Sequence, residues 1–276
     1  MFDELLRTLG TERHAKFIEK CANFEIFGCF ALTEISHGSN TQAIKTTAHY
    51  DPKTKEFIIN TPSIEHSKVW IGNLGKTATH SAVYAQLYTP DGVCHGMHIF
   101  VVQIRDEKTM NLLPGCVVGD MGAKAGLNGV DNGFATFYNM RVPRENLLNR
   151  TGDVTVEGKY VTPFKDAKKR FGVSLGTLSS GRVGLTHYGP CFMAQALTIA
   201  IRYGAIRTQF GPGKDQDEVS ILEYQLHNHR LMTALATCYA WRNFSKSFFL
   251  DLAEFLMGVL TKDRSDRQVN IFWLNT

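Results

Sequence analysis

Paired cysteines, long apolar runs and a strong net charge are all absent from this chain of 276 residues. The 6 cysteines include no C-x-x-C pair, and a metal site needs close, convergent ligands, so no metal site is expected. A disulfide framework is typical of short secreted chains, and reduced, mostly buried thiols are expected instead. No apolar run approaches the roughly 20 residues that cross a bilayer, so no membrane span is expected. A formal net charge of +4, dispersed along the chain, does not indicate nucleic-acid binding.

The composition that remains is that of an ordinary globular protein, with 43% hydrophobic and 20% charged residues. The length allows about two domains. Asp3 and Glu4 are acidic where a signal peptide carries basic residues, so no secretory leader is expected. His95 and His98 lie three apart in a predicted strand. Side chains at that spacing point to opposite faces, which argues against a metal site there.

The first half of the chain predicts a short helical segment followed by a β-rich block. Leu5, Leu6 and Leu9 recur at helical spacing, and Thr11 is suited to cap a second helix. Turn-forming residues separate short β-favouring runs, which predicts two hairpins and a closing strand. Such strands indicate a compact sandwich or barrel. The predicted strands are residues 45–50 with 56–60, residues 81–88 with 98–104, and residues 134–142.

The last third of the chain has helical periodicity. Apolar residues line one long predicted helix over residues 174–202 and a second over residues 220–260. Between them, residues 207–212 read as a helix end followed by a turn. Two long helices cannot bury their apolar faces alone, so further helices or a partner subunit are expected.

Two short segments carry the clearest functional signal. Residues 31–40 read A-L-T-E-I-S-H-G-S-N, and residues 70–75 read W-I-G-N-L-G. A flavin ring is flat, apolar on its faces and rich in acceptors along one edge. A loop of small hydroxyl and glycine residues beside a tryptophan suits such a ring, so the pair of segments indicates a flavoprotein.

Each residue type in these segments also has a plainer interpretation. Thr33 alone fits a turn at a strand end, Trp70 alone fits a core position, and Gly72 alone fits a turn or bulge. Arg207 alone fits a charge that complements the dipole at a helix C-terminus. Arg182 alone fits a surface charge or a buried ion pair.

Seven motifs together resemble the acyl-CoA oxidases, and most closely their pristanoyl-type branch. They run in the family's order over residues 12–268. The motifs are T-E-I-S-H-G-S-N at Thr33, T-A-H-Y-D-P-K-T-K-E-F-I-I-N-T-P at Thr47, W-I-G-N-L-G-K-T at Trp70, H-G-M-H-I-F-V-V-Q-I-R-D at His95, D-N-G-F at Asp131, R-V-P-R-E-N-L-L-N-R at Arg141 and L-S-S-G-R at Leu178.

The resemblance implies an α+β fold, in which a central antiparallel β-barrel or sandwich is flanked by a remnant N-terminal helix and a partial C-terminal helical bundle. It implies FAD as cofactor, a homodimer in the full-length form, acyl-CoA and molecular oxygen as substrates, and a peroxisomal location. The implied divisions are a helical remnant at 1–24, the β-domain at 25–150, a connecting insert at 151–172, the partial bundle at 173–268 and a divergent tail at 269–276.

The resemblance also assigns site residues, position by position. Thr33, Trp70 and Gly72 match positions that face the flavin. Arg207, Gln209 and Phe210 match the segment that reaches the FAD of the partner subunit, and Gln225 is a weaker candidate. A guanidinium suits pyrophosphate oxygens, and the adjacent phenyl ring suits an adenine or flavin edge. Ser39 and Arg182 match positions that contact acyl-CoA in related dehydrogenases.

The sequence departs from the family at both ends. Most of the family's N-terminal helical domain is missing. The C-G-G-H-G-Y segment and the E-G-[DE]-N motif that supplies the catalytic glutamate are absent, so no catalytic residue is assigned and the general base is expected beyond the C-terminus. Glu34 as the base would require a geometry that the family does not use. The last four residues, W-L-N-T, are not a peroxisomal address of the S-K-L type.

Three functional hypotheses follow from the resemblance. In the first, the chain is a partial form of an acyl-CoA oxidase whose full-length form converts acyl-CoA and O2 to trans-2-enoyl-CoA and H2O2. In the second, it is a non-catalytic product that binds flavin weakly or modulates a full-length partner. In the third, it is an acyl-CoA dehydrogenase that passes electrons to another flavoprotein. The hairpin at residues 47–60 and the segment at residues 141–150 resemble oxidases more closely.

Overall fold

The computed structural model describes residues 1–213 and 216–261. The chain divides into two compact units, Met1–Thr177 and Leu178–Thr276. Each unit is described by itself below. The divergent tail predicted at residues 269–276 lies outside the described residues.

The N-terminal unit opens with two short helices, α1 (Phe2–Leu9) and α2 (Ala15–Ala22). The buried face of α1 is formed by Phe2, Leu5, Leu6 and Leu9, the spacing that places side chains on one side of a helix. Thr11 forms a capping box with His14 at the 3-10 turn that leads into α2, so the predicted cap is confirmed.

Most of the N-terminal unit consists of short strands in two main sheets. A six-stranded sheet and a three-stranded sheet contain nine of them, and the last two form a separate small ladder. The strands are β1 (Gly28–Ala31), β2 (Thr47–Asp51), β3 (Glu56–Asn60), β4 (Lys68–Ile71), β5 (His80–Tyr88), β6 (Cys94–Gln103), β7 (Cys116–Asp120), β8 (Gly133–Phe137), β9 (Met140–Pro143), β10 (Asp153–Val154) and β11 (Tyr160–Val161).

Both predicted hairpins are confirmed. β2 pairs antiparallel with β3, and β5 pairs antiparallel with β6. Alternating residues of these strands form the core, where the rings of Phe57 and Phe100 meet edge to face at 4.9 Å between centroids. Burying such faces supplies the main driving force for this unit. The small ladder β10–β11 extends the unit beyond residue 150.

The large sheet is mixed, whereas a purely antiparallel one was expected. β5 pairs in parallel with both β1 and β2. Parallel neighbours need a long crossover, and long connections precede β5 in each case, from β1 through residues 32–79 and from β2 through residues 52–79. The α+β fold class is confirmed, because the sheets and the helices occupy largely separate stretches of the described chain.

The single strand predicted at residues 134–142 is wrong. The structure has two strands there, and they belong to different sheets: β8 pairs with β4 and β7, whereas β9 pairs with β3. The chain turns between them at Asn139, whose φ of 50° lies in the left-handed region. Asparagine tolerates this conformation better than most residues, so it marks the turn.

Three helices make up most of the described residues that follow β11. The short helix α3 (Ala167–Ser174) ends the N-terminal unit, and two long helices follow, α4 (Thr177–Ile206) and α5 (Gln225–Thr261), which confirms the two predicted helical regions. Between them, β12 (Thr208–Gln209) pairs with β13 (Val219–Ser220).

Large apolar side chains stay exposed on both long helices. On α4 these include Leu185, Tyr188 and Phe192, and on α5 they include Tyr239, Trp241, Phe244 and Phe249. The expectation that the two helices cannot bury their faces alone is therefore confirmed for the described residues.

Candidate functional site

The N-terminal unit brings the two motif segments side by side. Glu34 forms an isolated antiparallel bridge with Lys68 of β4. The amide of Val69 donates to the carbonyl oxygen of Thr33 at 3.0 Å, and the amide of Ile35 donates to Ser67 at 3.2 Å. The hydroxyl-rich segment therefore runs along the strand that carries the tryptophan.

Trp70 is held in a conformation that few bulky residues adopt. Its φ is 62°, in the left-handed region, and the pairing of β4 with β8 is irregular between Lys68 and Ile71, as in a β-bulge. The side chain is 56% exposed. Trp70 is therefore not a core residue, and the local strain turns its ring outward.

Thr33 and Gly72 lie on the two paired segments, Thr33 bonded to Val69 of β4 and Gly72 directly after β4. Thr33 is half-buried, and among the residues that the structure describes its hydroxyl makes no side-chain hydrogen bond. Gly72 follows β4 directly, and a Cβ there would meet Val130 only at an ordinary 3.6 Å. The two paired segments thus carry an exposed tryptophan ring, a glycine, and a threonine hydroxyl that makes no hydrogen bond within the described residues.

The loop that follows Gly72 depends on Arg105, a residue that sequence reasoning missed. Arg105 is buried, and its guanidinium donates to the carbonyl oxygens of Ala78 at 2.6 Å, Leu74 at 3.0 Å and Gly75 at 2.8 Å. In the sequence, Arg105 is marked only by its place near the end of the motif that begins at His95.

Asp131, in the D-N-G-F motif, contacts the same loop from a different part of the chain. Its Oδ2 accepts from the amides of Lys76 at 2.6 Å and Thr77 at 2.8 Å, and its carbonyl oxygen accepts from the amide of Gly75. The D-N-G-F motif is recognisable in the sequence, but its contact with residues 75–77 has no sequence signal.

Replacing Asp131 with alanine is expected to destabilise the N-terminal unit by about 1–2 kcal/mol, because two amides lose a charged acceptor at a partly exposed position. Urea unfolding of the whole chain measures this change. Asp131→Asn, which keeps one carbonyl oxygen, is expected to lose less. Equal losses in the two variants would contradict the role given to the carboxylate.

Glu34 forms a buried ion pair with Lys68. Its carboxylate and the Lys68 ammonium are 3.2 Å apart, and both side chains are shielded from solvent. Burial alone would raise the pKa of Glu34, but Lys68 and hydrogen bonds from Thr46 and Lys45 bring the pKa below its usual value. A carboxylate held this way is a poor proton acceptor, which agrees with the expectation that Glu34 is not the base.

Ser39 lies in the same N-terminal unit, on the exposed loop that follows Thr33. Its carbonyl oxygen accepts from the amide of Thr41 at 3.0 Å. The side chain is open to solvent, as a residue that contacts a bound substrate requires.

The remaining predicted site residues belong to the C-terminal unit. Arg207 is exposed at the end of α4, Gln209 is half-buried in β12, and Phe210 is 77% exposed. The carbonyl oxygen of Phe210 accepts from the Tyr224 hydroxyl at 2.9 Å, which fixes the backbone there. Arg182 lies on the exposed side of α4. The predicted site residues thus divide between the two units.

The two histidines expected on opposite faces both contact Tyr160. The ring of His95 stacks on Tyr160 at 4.0 Å between centroids, and Nε2 of His98 lies 2.9 Å from the Tyr160 hydroxyl. Gly96, with a φ of 82°, breaks the regular alternation between them. Within residues 1–213 and 216–261, no group of three or more metal-ligating side chains is suited to hold a metal ion.

Known protein families match both units. The family described as "Acyl-CoA dehydrogenase, middle domain" matches residues 29–140. The family described as "Acyl-CoA oxidase, C-alpha1 domain" matches residues 175–270. The first match covers both segments of the candidate flavin-facing site.

The curated relatives are acyl-CoA oxidases. Human peroxisomal acyl-coenzyme A oxidase 3 is 55% identical over 271 residues, which is 98% of this chain and 39% of the relative. Acyl-coenzyme A oxidase acox-3 of Caenorhabditis elegans is 46% identical over 268 residues, 96% of this chain and 40% of the relative. The chain therefore spans about 40% of the length of these relatives.

Solved structures agree with the sequence matches. Acyl-CoA oxidase 1 of Yarrowia lipolytica is 36% identical with a TM-score of 0.88, covering 98% of this chain and 39% of that one. Acyl-CoA oxidase-2 of C. elegans, solved with FAD, ascaroside-CoA and ATP, is 37% identical with a TM-score of 0.86, covering 96% of this chain and 39% of that one.

The fold and the paired segments define a protein of the acyl-CoA dehydrogenase and oxidase fold. Within that class the chain belongs to the acyl-CoA oxidase family and corresponds to part of such an enzyme. Among its described residues, no helix has both the length and the apolarity needed to cross a membrane.

Proposed function

We propose that this chain supplies the flavin-facing part of a peroxisomal acyl-CoA oxidase. In its full-length form the enzyme converts acyl-CoA and O2 to trans-2-enoyl-CoA and H2O2. The observation that carries the proposal is Trp70, exposed in a left-handed conformation beside Thr33 in a chain whose relatives are acyl-CoA oxidases. The peroxisomal location rests on the names of those relatives.

The residues present fit FAD. The Trp70 face offers an apolar wall, and the Thr33 hydroxyl, on the segment that pairs with the Trp70 strand, is available to hydrogen-bond an acceptor. An exposed aromatic of this size normally costs solvation energy, and a flat ring lying on it would relieve that cost. When bound, FAD supplies the electron chemistry of the oxidation.

The remaining predicted site residues have roles in the same proposal. Arg207, Gln209 and Phe210 contact the FAD of a second subunit in a homodimer. An exposed guanidinium is suited to pyrophosphate oxygens, and an exposed phenyl ring to an adenine face. Ser39 and Arg182 contact the acyl-CoA.

In this proposal the chain's own groups position FAD and shield it from water, but they do not remove the substrate proton. Glu34 is the acidic residue of the flavin-facing motif, and its carboxylate is already hydrogen-bonded inside the fold. We therefore place the general base outside the described residues. The five divisions expected from the sequence, from the helical remnant to the divergent tail, are retained as part of this proposal.

Titration of the purified chain with FAD, followed by quenching of flavin fluorescence, tests the proposal. Saturable binding is expected, and Trp70→Gly is expected to weaken it at least tenfold, because the apolar wall is lost. The same substitution relieves a left-handed residue, so the melting temperature is expected to hold or rise.

Phe24 provides a matched control for Trp70. It is also an exposed aromatic with a positive φ, 58°, and is 76% exposed, but it lies outside both motif segments, in the turn between α2 and β1. Phe24→Gly is expected to leave FAD affinity unchanged. Absence of saturable binding by the unaltered chain, or equal losses in the two variants, would contradict the proposed function.

A further inference from the structure

Lys68 contacts the chain on both sides of Thr33. Its ammonium donates to the carbonyl oxygen of Leu32 at 2.9 Å and to the carboxylate of Glu34 at 3.2 Å. The Lys68 side chain has no exposed surface. The residue before Thr33 and the residue after it are therefore bound to one buried group, which lies two residues before Trp70.

Glu34 uses both of its carboxylate oxygens inside the fold. Oε1 accepts from the amide and the hydroxyl of Thr46, at 2.9 and 2.6 Å, and from Lys68. Oε2 accepts from the amide of Lys45 at 2.8 Å. These bonds close the loop of residues 34–46, which contains Ser39.

The backbone reinforces the same arrangement. Glu34 and His37 exchange amide-to-carbonyl hydrogen bonds in both directions, at 3.1 and 3.2 Å. Beside them, the carbonyl oxygen of Thr33 accepts from Val69. The contacts of the ion pair thus join the segment that carries Thr33 and Ser39 to residues 45–46 and to the strand that carries Trp70.

We propose that Glu34 and Lys68 are positioning residues that set the geometry of the Thr33 loop against the Trp70 bulge, and so determine how tightly the chain binds flavin. The inference rests on the proposed function for its ligand. The contacts themselves are independent of any ligand.

Stability alone does not account for a pair of this kind. Replacing a buried ion pair with apolar residues of similar volume is often neutral or stabilising, whereas removing one partner leaves a charge unpaired and buried. Directional hydrogen bonds to named backbone groups are what an apolar pair cannot reproduce. A positioning role therefore predicts that stability and flavin affinity separate when both charges are removed together.

The test compares Glu34→Gln, Lys68→Met and the double variant with the unaltered chain. The single variants are expected to lose stability and to weaken FAD binding at least tenfold. The double variant, which has no unpaired charge, is expected to recover most of the melting temperature. Its FAD affinity is expected to stay at least tenfold low, because a glutamine amide cannot accept from both Lys45 and Thr46.

Amide hydrogen exchange provides a measurement that needs no flavin. The amide of Val69, which donates to Thr33, is expected to exchange at least tenfold faster in the double variant, while the amides of β6 keep their protection. A double variant with unaltered FAD affinity and unaltered exchange at Val69 would overturn the inference. Loss of protection throughout β6 would also overturn it, since the pair would then be a general stabilising element.

The two proposals fail in different ways. If the unaltered chain does not bind FAD, the proposed function fails, and the exchange rate at Val69 alone then supports or overturns the positioning role. A second ion pair supplies the control: Arg13 and Asp153 lie 3.0 Å apart and are about four-fifths shielded. Arg13→Met combined with Asp153→Asn is expected to leave FAD affinity and Val69 exchange unchanged.

Discussion

Replacing Arg105 with methionine is expected to lower the free energy of unfolding of the N-terminal unit by about 3–5 kcal/mol, because three buried carbonyl oxygens lose a charged donor. Methionine fills similar volume but cannot donate a hydrogen bond. The loop of residues 74–78 loses its support, and Gly72 lies immediately before that loop. Urea unfolding of the whole chain measures the change in stability.

Arg141 is the matched control. It is an arginine of the same unit that forms ion pairs with Asp51 and Glu56, but its side chain is 49% exposed. Arg141→Met is expected to cost far less than Arg105→Met, because exposed pairs contribute little. Equally small losses in the two variants would show that the buried guanidinium is dispensable. Arg105→Lys is expected to recover part of the loss, since one ammonium can reach some of the carbonyls.

Acidification is expected to destabilise the N-terminal unit at pH values where most carboxylates are still ionised. Burial lowers the pKa of His80 and of His98 from 6.5 to about 4. Between pH 6.5 and about pH 4, both histidines bind protons in the unfolded chain but not in the folded chain. The free energy of unfolding therefore falls as the pH falls through this range. From pH 7 to pH 5 the loss is about 2 kcal/mol for each histidine, roughly 4 kcal/mol together.

His98→Gln is expected to remove about half of that pH dependence. In the neutral form, Nδ1 of His98 donates to the carbonyl oxygen of Gly96 and Nε2 accepts from Tyr160, and glutamine can make similar contacts without titrating. The readout is the free energy of unfolding at a series of pH values, measured for the variant and for the unaltered chain. An unchanged slope in His98→Gln would argue against burial of His98 as the cause.

The hairpins and the long helices were predictable because their signals are local. Alternating apolar residues on either side of residues 51–55 specify a hairpin whose two strands are neighbours in the chain. The strand predicted at residues 134–142 failed for the opposite reason. Both halves of that run favour strand, and only the pairing of β9 with β3 and of β8 with β7 reveals the turn at Asn139.

The candidate site was predictable only in part. Motif resemblance selected Thr33 and Trp70, and the structure places their segments next to each other. The supporting residues Lys68 and Arg105 could not be assigned, because their partners include backbone carbonyl oxygens about 30 positions or more away. A backbone acceptor has no sequence signature, so such a contact becomes visible only when the chain has folded.

Because apolar side chains are exposed on α4 and α5, a partner that binds them would stabilise the folded C-terminal unit. A second copy or another helix that covers Tyr188, Phe192 or Trp241 binds the folded helices and not the unfolded chain. Each tenfold rise in the concentration of such a partner above its dissociation constant adds about 1.4 kcal/mol to the free energy of unfolding. With such a partner bound, the temperature at which the unit unfolds would depend on the concentrations of both molecules.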